Sequence, residues 1–198
     1  MGYRLGIREA FAAILSFLLL AGCHGGKQAG LQELRQETDS LTAAYHHADS
    51  LYAVCGRIDT AAFGEFIGRA TAFADRHPAD TLAPGMLYRA GVGSMILAKS
   101  ADSPEFRARN AKRALAIFNQ YQEQYPDHEQ ARLCYWQRAI VYDDILGDWR
   151  SAESEYRDFI NRYPNDSLTP VFRQYLSLLG KSETELEQAI VPGEEGNP

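Results

Sequence analysis

Apolar residues recur along most of this chain at intervals of three and four, the spacing of one face of a helix. The first such series runs Leu31, Leu34, Thr38, Leu41, Tyr45, Ala48 and Tyr52. It predicts a helix over 31–55 packed along that stripe, with a coiled-coil seam as the alternative reading of the same positions. Further on the chain repeats itself when it is aligned on His77-Pro78, Tyr125-Pro126 and Tyr163-Pro164. Five residues before these prolines stand Phe73, Tyr121 and Phe159; eight before stand Ala70, Phe118 and Tyr156; twelve before stand Phe66, Ala114 and Ala152. These offsets lie on one helical face, so each series is a proline-terminated helix.

Ahead of the clearest of these helices comes another that carries Tyr135, Ala139 and Tyr142, with Gly147 at the turn between them. Small residues let two helices approach closely while aromatic rings fill the gaps to neighbouring pairs. The pattern predicts helices over 31–55 and 59–76, 82–99 and 105–125, 129–146 and 149–163, and 167–179 and 183–190, taken in pairs. Ser100 to Ser103 form a loop with a helix start at Pro104 and Glu105, and Ser182 with Glu185 makes a capping box for the last helix. Residues 191–198 are expected to be a disordered tail.

This arrangement resembles the tetratricopeptide repeat, in which a first helix with small and aromatic residues is followed by a glycine turn and then by the positions held here by Ala152, Tyr156, Phe159 and Pro164. The resemblance is good from Tyr135 to Pro164 and fair from Met86 to Pro126. It departs in two places: Tyr142 to Gly147 is one residue longer than the usual spacing, and Pro78 to Pro126 spans 48 residues against 38 from Pro126 to Pro164. What it implies is an all-α fold, a tetratricopeptide-like α-solenoid of antiparallel helix pairs over residues 31–190. A stripe ahead of such repeats also resembles trimeric envelope proteins that carry a coiled coil there.

The beginning of the chain has a different pattern. Arg4 and Arg8 precede the apolar run Phe11 to Leu20, which is too short to span a bilayer comfortably and gives way at once to small residues. That is the form of an export signal, expected over residues 1–22. The junction Leu20-Ala21-Gly22-Cys23 resembles the lipobox of bacterial lipoproteins, which implies cleavage before Cys23 and lipidation of its thiol. Acyl chains contribute about 0.8 kcal/mol per buried methylene, enough to anchor the protein without a transmembrane helix. Residues 23–30 would then be the lipidated cysteine and a glycine-rich tether. By resemblance to the sorting rules of such lipoproteins, the lack of Asp after Cys23 implies the outer membrane, and the lack of an acidic run before Glu33 implies its periplasmic side.

Composition narrows the function classes. With 20 basic and 26 acidic residues the formal net charge is −6, which leaves no basic stripe for a phosphate backbone and excludes nucleic acid as the main partner. Removal of residues 1–22 takes away Arg4, Arg8 and Glu9 and makes the mature chain more negative still. Three cysteines do not build a disulfide scaffold; Cys55 and Cys134 fall in apolar helical stretches, where a buried thiol and a bridge are both open. Among the five histidines none stands at a metal-binding helical spacing, and adjacent His46 and His47 point about 100° apart, one expected to be solvated and one packed. His77, in the position of Tyr125 and Tyr163, is a packing residue. No phosphate loop, nucleophile elbow or zinc spacing is present, so no catalytic residue, cofactor or metal is expected.

A helical solenoid has one functional surface by construction, the concave side lined by the first helix of each pair. If Ala139 is the close-packed position, the ligand-facing positions implied by the resemblance are Leu133, Trp136, Ile140, Asp143 and Asp144, with Arg132 beside them. Arg132, Trp136, Asp143 and Asp144 are the candidate binding residues, a ring with charges of both signs; a packed Trp136 with solvated charges is the competing reading. The expected function is a lipid-anchored, non-enzymatic adaptor for other envelope proteins or peptides. It resembles small outer-membrane tetratricopeptide lipoproteins of barrel assembly or envelope maintenance. The alternative is a solute-binding accessory lipoprotein of nutrient uptake.

Overall fold

The computed structural model of the chain describes residues 30–49 and 58–181. The export signal, Cys23, the tether up to residue 29, Cys55, the helix expected over 183–190 with its Ser182 and Glu185 capping box, and the tail all lie outside the described residues. So do residues 50–57, which would join the first expected pair.

Residues 30–49 form helix α1, which already includes Gly30. Along its stripe Leu41 and Ala48 are buried, Leu34, Thr38 and Tyr45 are half-buried, and Leu31 is exposed. His46 and His47 are both exposed, which corrects the expectation that one of them is packed.

The remaining described residues are a serial stack of helices: α2 (Thr60–Arg76), α3 (Ala83–Lys99), α4 (Pro104–Gln124), α5 (Leu133–Ile140), a π-helical turn (Val141–Ile145), α6 (Trp149–Arg162) and α7 (Thr169–Leu178). Among the described residues there is no strand. Each helix packs on its neighbours in sequence, and the fold is an all-α, tetratricopeptide-like solenoid. The expected helix over 129–146 starts later, at Leu133, because residues 129–132 form a turn.

Every aromatic or small residue in register with the three prolines is buried, from Phe66 and Ala70 through Phe118 and Tyr121 to Tyr156 and Phe159. The helix ends repeat as well. His77, Tyr125 and Tyr163 adopt nearly one conformation, φ −129°, −130° and −128°, since the following proline bars them from helical backbone. Their amides donate to Phe73 O, Tyr121 O and Phe159 O at 2.8 Å in each case. Two residues beyond each proline a polar side chain closes the loop: Asp80 Oδ1 accepts from Leu82 N and Asp166 Oδ1 from Leu168 N at 2.8 Å, and His128 Nδ1 accepts from Gln130 N at 3.4 Å. The two Asx-type turns lead the chain into α3 at Ala83 and α7 at Thr169, both buried, and the His128 turn leads through buried Ala131 to α5 at Leu133.

The starts of α2, α4 and α6 are set by side chains that accept the free amides of a first turn. Asp59 caps α2 by accepting from Ala61 N and Ala62 N, Ser103 caps α4 ahead of Pro104 as expected, and Asp148 caps α6 by accepting from Ser151 N. The Asp148 carboxyl is held below its ordinary range by its hydrogen bonds to Ser151.

Two glycines let α3 sit close between α2 and α4. A Cβ on Gly91 would lie 2.5 Å from the ring of Phe118 on α4, and one on Gly93 would lie 3.2 Å from Phe63 on α2. In the third pair the close contact is made by Ala139 and Ala152, both without exposed surface, with Tyr156, Phe159 and Phe172 completing the core.

Candidate binding groove

The extra residue between Tyr142 and Gly147 is taken up by the π-helical turn. Leu146 N donates to Val141 O at 3.1 Å, a bond one residue longer than the α-helical one. Gly147 then turns with φ +67°, a conformation favourable to glycine, and Asp148 N donates to Tyr142 O at 2.7 Å. The helix therefore bulges where Asp143 and Asp144 stand, and α6 still begins in register for Ala152 to meet Ala139.

Of the four candidate residues, the structure brings three towards one region and assigns the fourth elsewhere. Trp136 is half-buried and meets α7 edge-on, its ring centroid 5.2 Å from Phe172 and 5.1 Å from Tyr175. It combines both sequence-based readings, packed along one side and open along another. Asp143 is half-buried and Asp144 exposed, both on the bulge. The carboxyl of Asp143 is pushed above its ordinary range, first by burial and then by Asp144. Asp144 accepts from Lys99 Nζ of α3 at 3.0 Å, a solvent-exposed pair worth about 0 to 1 kcal/mol. Arg132, by contrast, faces the next loop and donates from Nη1 to both carboxylate oxygens of Asp166 at 2.8 and 3.0 Å. Asp166 is the residue that turns the chain into α7, so Arg132 fastens one loop to the next.

Sequence spacing missed Tyr156 and Tyr175. Tyr156 of α6 reaches up between α5 and α7 and is only 3% exposed. It lies parallel to Tyr175 at 6.0 Å between centroids, and its phenol is pushed up to about 12 by burial, then by Asp143, with smaller contributions from Tyr175 and Asp144. Tyr175 is exposed on α7. The repeat register identified Tyr156 only as core, and Tyr175 carried no register signal at all.

Arg138 and Glu155 were likewise invisible in the spacing. Arg138, with 6% of its side chain exposed, donates to both carboxylate oxygens of Glu155 at 2.8 and 2.7 Å and to Gln122, tying α4, α5 and α6 together. Cys134 is a buried thiol whose Sγ donates to Gln130 O at 3.6 Å, and burial pushes it up to about 12, so it is not a ready nucleophile. A separate cleft of about 200 Å³ opens between α4, the start of α5 and the end of α6, lined by Gln122, Glu123, Tyr135, Arg162 and Tyr163, and contains none of the candidate residues. Among the described residues no group of three or more His, Cys, Asp or Glu side chains is placed to hold a metal ion. No described helix is long and apolar enough to cross a membrane.

No curated protein matches the chain. The family model described as tetratricopeptide repeat matches residues 133–166, the stretch that holds α5, the π-helical turn, α6 and the loop closed by Asp166. Repeats of this kind are typically protein-interaction modules without catalysis, and the chain carries a match to one of them within a tetratricopeptide-like solenoid.

Proposed function

We propose that this protein is a lipid-anchored adaptor of the bacterial outer membrane that holds other envelope proteins in its helical groove, in outer-membrane protein assembly or envelope maintenance. The tetratricopeptide match over residues 133–166 carries the protein-binding part, because it coincides with the helix pair that presents Trp136, Asp143 and Asp144. It points to a protein or peptide partner rather than to a small solute. The anchor rests on the sequence, on Arg4 and Arg8, the apolar run and Leu20-Ala21-Gly22-Cys23. Periplasmic placement rests on the residues that follow Cys23.

Two measurements test the halves separately. Metabolic labelling with a radioactive or clickable fatty acid is expected to mark the wild type and not Cys23→Ala; equal labelling of both removes the anchor. Affinity capture of the full chain from detergent-solubilised membranes, followed by mass spectrometry, is expected to recover barrel-assembly or cell-wall proteins. Capture of a transporter instead, with sugar binding in calorimetry, would replace the adaptor by the solute-binding reading.

A further inference from the structure

Helix α4 carries Arg107, Arg109, Lys112 and Arg113 against Glu105 and Glu123, a surplus of positive charge within a chain whose formal net charge is −6. At about 100° per residue, Arg109, Lys112 and Arg113 fall within an arc of about 100° on the side opposite the buried Ala111, Ala114, Phe118 and Tyr121. Arg107 lies elsewhere and donates to Ala101 O at 3.0 Å. Among the described residues the other three make no ion pair or hydrogen bond. Arg109 lies over the ring of Phe106 at 5.0 Å, and Arg113 reaches across α2, its Nη2 3.9 Å from where a Cβ on Gly68 would stand. Arg109 and Arg113 are one turn apart, a spacing at which like charges oppose the helix, and burial and then Arg109 hold the Arg113 guanidinium below its ordinary value. Glu105 shares this face one turn earlier but turns back to the cap, where it accepts from Ser103 Oγ at 2.6 Å. Cations that repel one another with no counter-charge at hand are relieved by an anionic surface.

We propose that the Arg109, Lys112 and Arg113 face of α4 lies on the headgroups of an anionic bilayer. The three cations span about 6 Å of helix, too little to follow a nucleic-acid backbone, whereas a plane of lipid charges needs neither a long stripe nor a groove. The half-buried ring of Phe106 beneath Arg109 and the exposed Ala116 on the same face add the apolar element that suits a headgroup boundary. The proposal rests on the anchored reading above and adds an orientation to it. A chain held to the membrane by its own beginning meets headgroups at high local concentration, so three cations, each contributing about fivefold near an anionic surface, suffice to turn it. Since α4 packs on α3 through its opposite side, this places the first helices of the pairs away from the leaflet and leaves Trp136 open to a partner.

The test places benzoylphenylalanine at Ala116, exposed one turn beyond Lys112, in the full chain purified from membranes and mixed with vesicles of phosphatidylcholine alone or with about three parts in ten of phosphatidylglycerol. Irradiation is expected to give a phospholipid adduct, read by mass spectrometry, that is about fivefold or more stronger with the anionic vesicles and fades as salt rises. The combined change Arg109→Gln, Lys112→Gln and Arg113→Gln should bring it down to the level of phosphatidylcholine alone, while Arg150→Gln with Arg173→Gln, exposed cations of α6 and α7, should leave it within about twofold. Should the triple variant lose its helical circular dichroism, Lys112→Glu decides, and is expected to weaken the adduct by about fivefold or more. Equal adducts with both vesicles, an unchanged adduct in the triple variant, or no adduct at all overturns the proposal. In intact cells a protein adduct from position 116 in place of phospholipid assigns the face to an acidic protein segment and overturns it as well. The fatty-acid labelling above reports the anchor separately: a labelled chain without the charge-dependent adduct retires the α4 contact and keeps the anchor, and an unlabelled chain that still gives the adduct does the reverse.

Discussion

Arg138 is the residue on which three helices depend, because its guanidinium is almost fully withdrawn from water and, among the described residues, donates its hydrogen bonds to Glu155 and Gln122. Breaking a buried pair leaves an uncompensated charge, so Glu155→Ala should destabilise the protein by about 3 to 5 kcal/mol, read by urea denaturation. The double change Arg138→Met with Glu155→Leu should cost far less, because no orphan charge remains. Asp143 presents the opposite case. Its carboxyl is raised in the folded protein, so its ionisation opposes folding: this contribution is absent below the ordinary Asp range and grows as pH rises through the raised value. Asp143→Asn should therefore remove a decline in stability between about pH 4 and pH 7, seen by denaturation at both, and should not lower the melting temperature at neutral pH. Neither role was legible in the sequence, since pairing across helices seventeen positions apart and the burial of a single carboxyl leave no periodic trace.

At the scale of the helix, the registered prolines were legible because the signal is local: proline fixes the residue before it, and the offsets of five, eight and twelve fix the buried face. The glycines of α3 were not legible, because an apolar helix between two neighbours gives no hint of which side each residue faces. The structure separates helical glycines by what surrounds them, Gly64 on α2 and Gly91 on α3 being the two extremes. Gly64 has nothing within 4 Å of its missing Cβ, so Gly64→Ala should gain up to about 1 kcal/mol from helix propensity. Gly91→Ala has the same propensity gain but meets the wholly buried ring of Phe118 at 2.5 Å. Overpacking of about 1 to 3 kcal/mol exceeds that gain, so the melting temperature should fall. Opposite shifts in thermal denaturation of the two variants check the open face of α2 at Gly64 against the close approach of α3 to α4 at Gly91. The π-helical turn was half legible: counting residues from Tyr142 to Gly147 showed the surplus, but only the fold shows that the helix absorbs it as a wider turn and so moves Asp143 and Asp144.

For the whole molecule, a solenoid joins stability and binding through the same helices, and Trp136 shows how. Its ring holds α7 to α5 and stays half-exposed on the proposed groove, so Trp136→Ala should weaken a partner and also cost stability, by less than the about 3 to 5 kcal/mol of a fully buried aromatic. The sequence left Trp136 between groove and core because the rings that flank it, Phe172 and Tyr175, stand more than thirty positions away. The proposed protein-binding role of the groove is tested most directly by site-specific photocrosslinking in intact cells. Benzoylphenylalanine at Ile140, half-buried beside Trp136 and Asp143, is compared with the same group at Lys112, exposed on α4. The expected result is a discrete protein adduct from position 140 that is absent from position 112. Identical adducts from both positions, or an adduct from position 112 alone, would contradict a partner held in the groove.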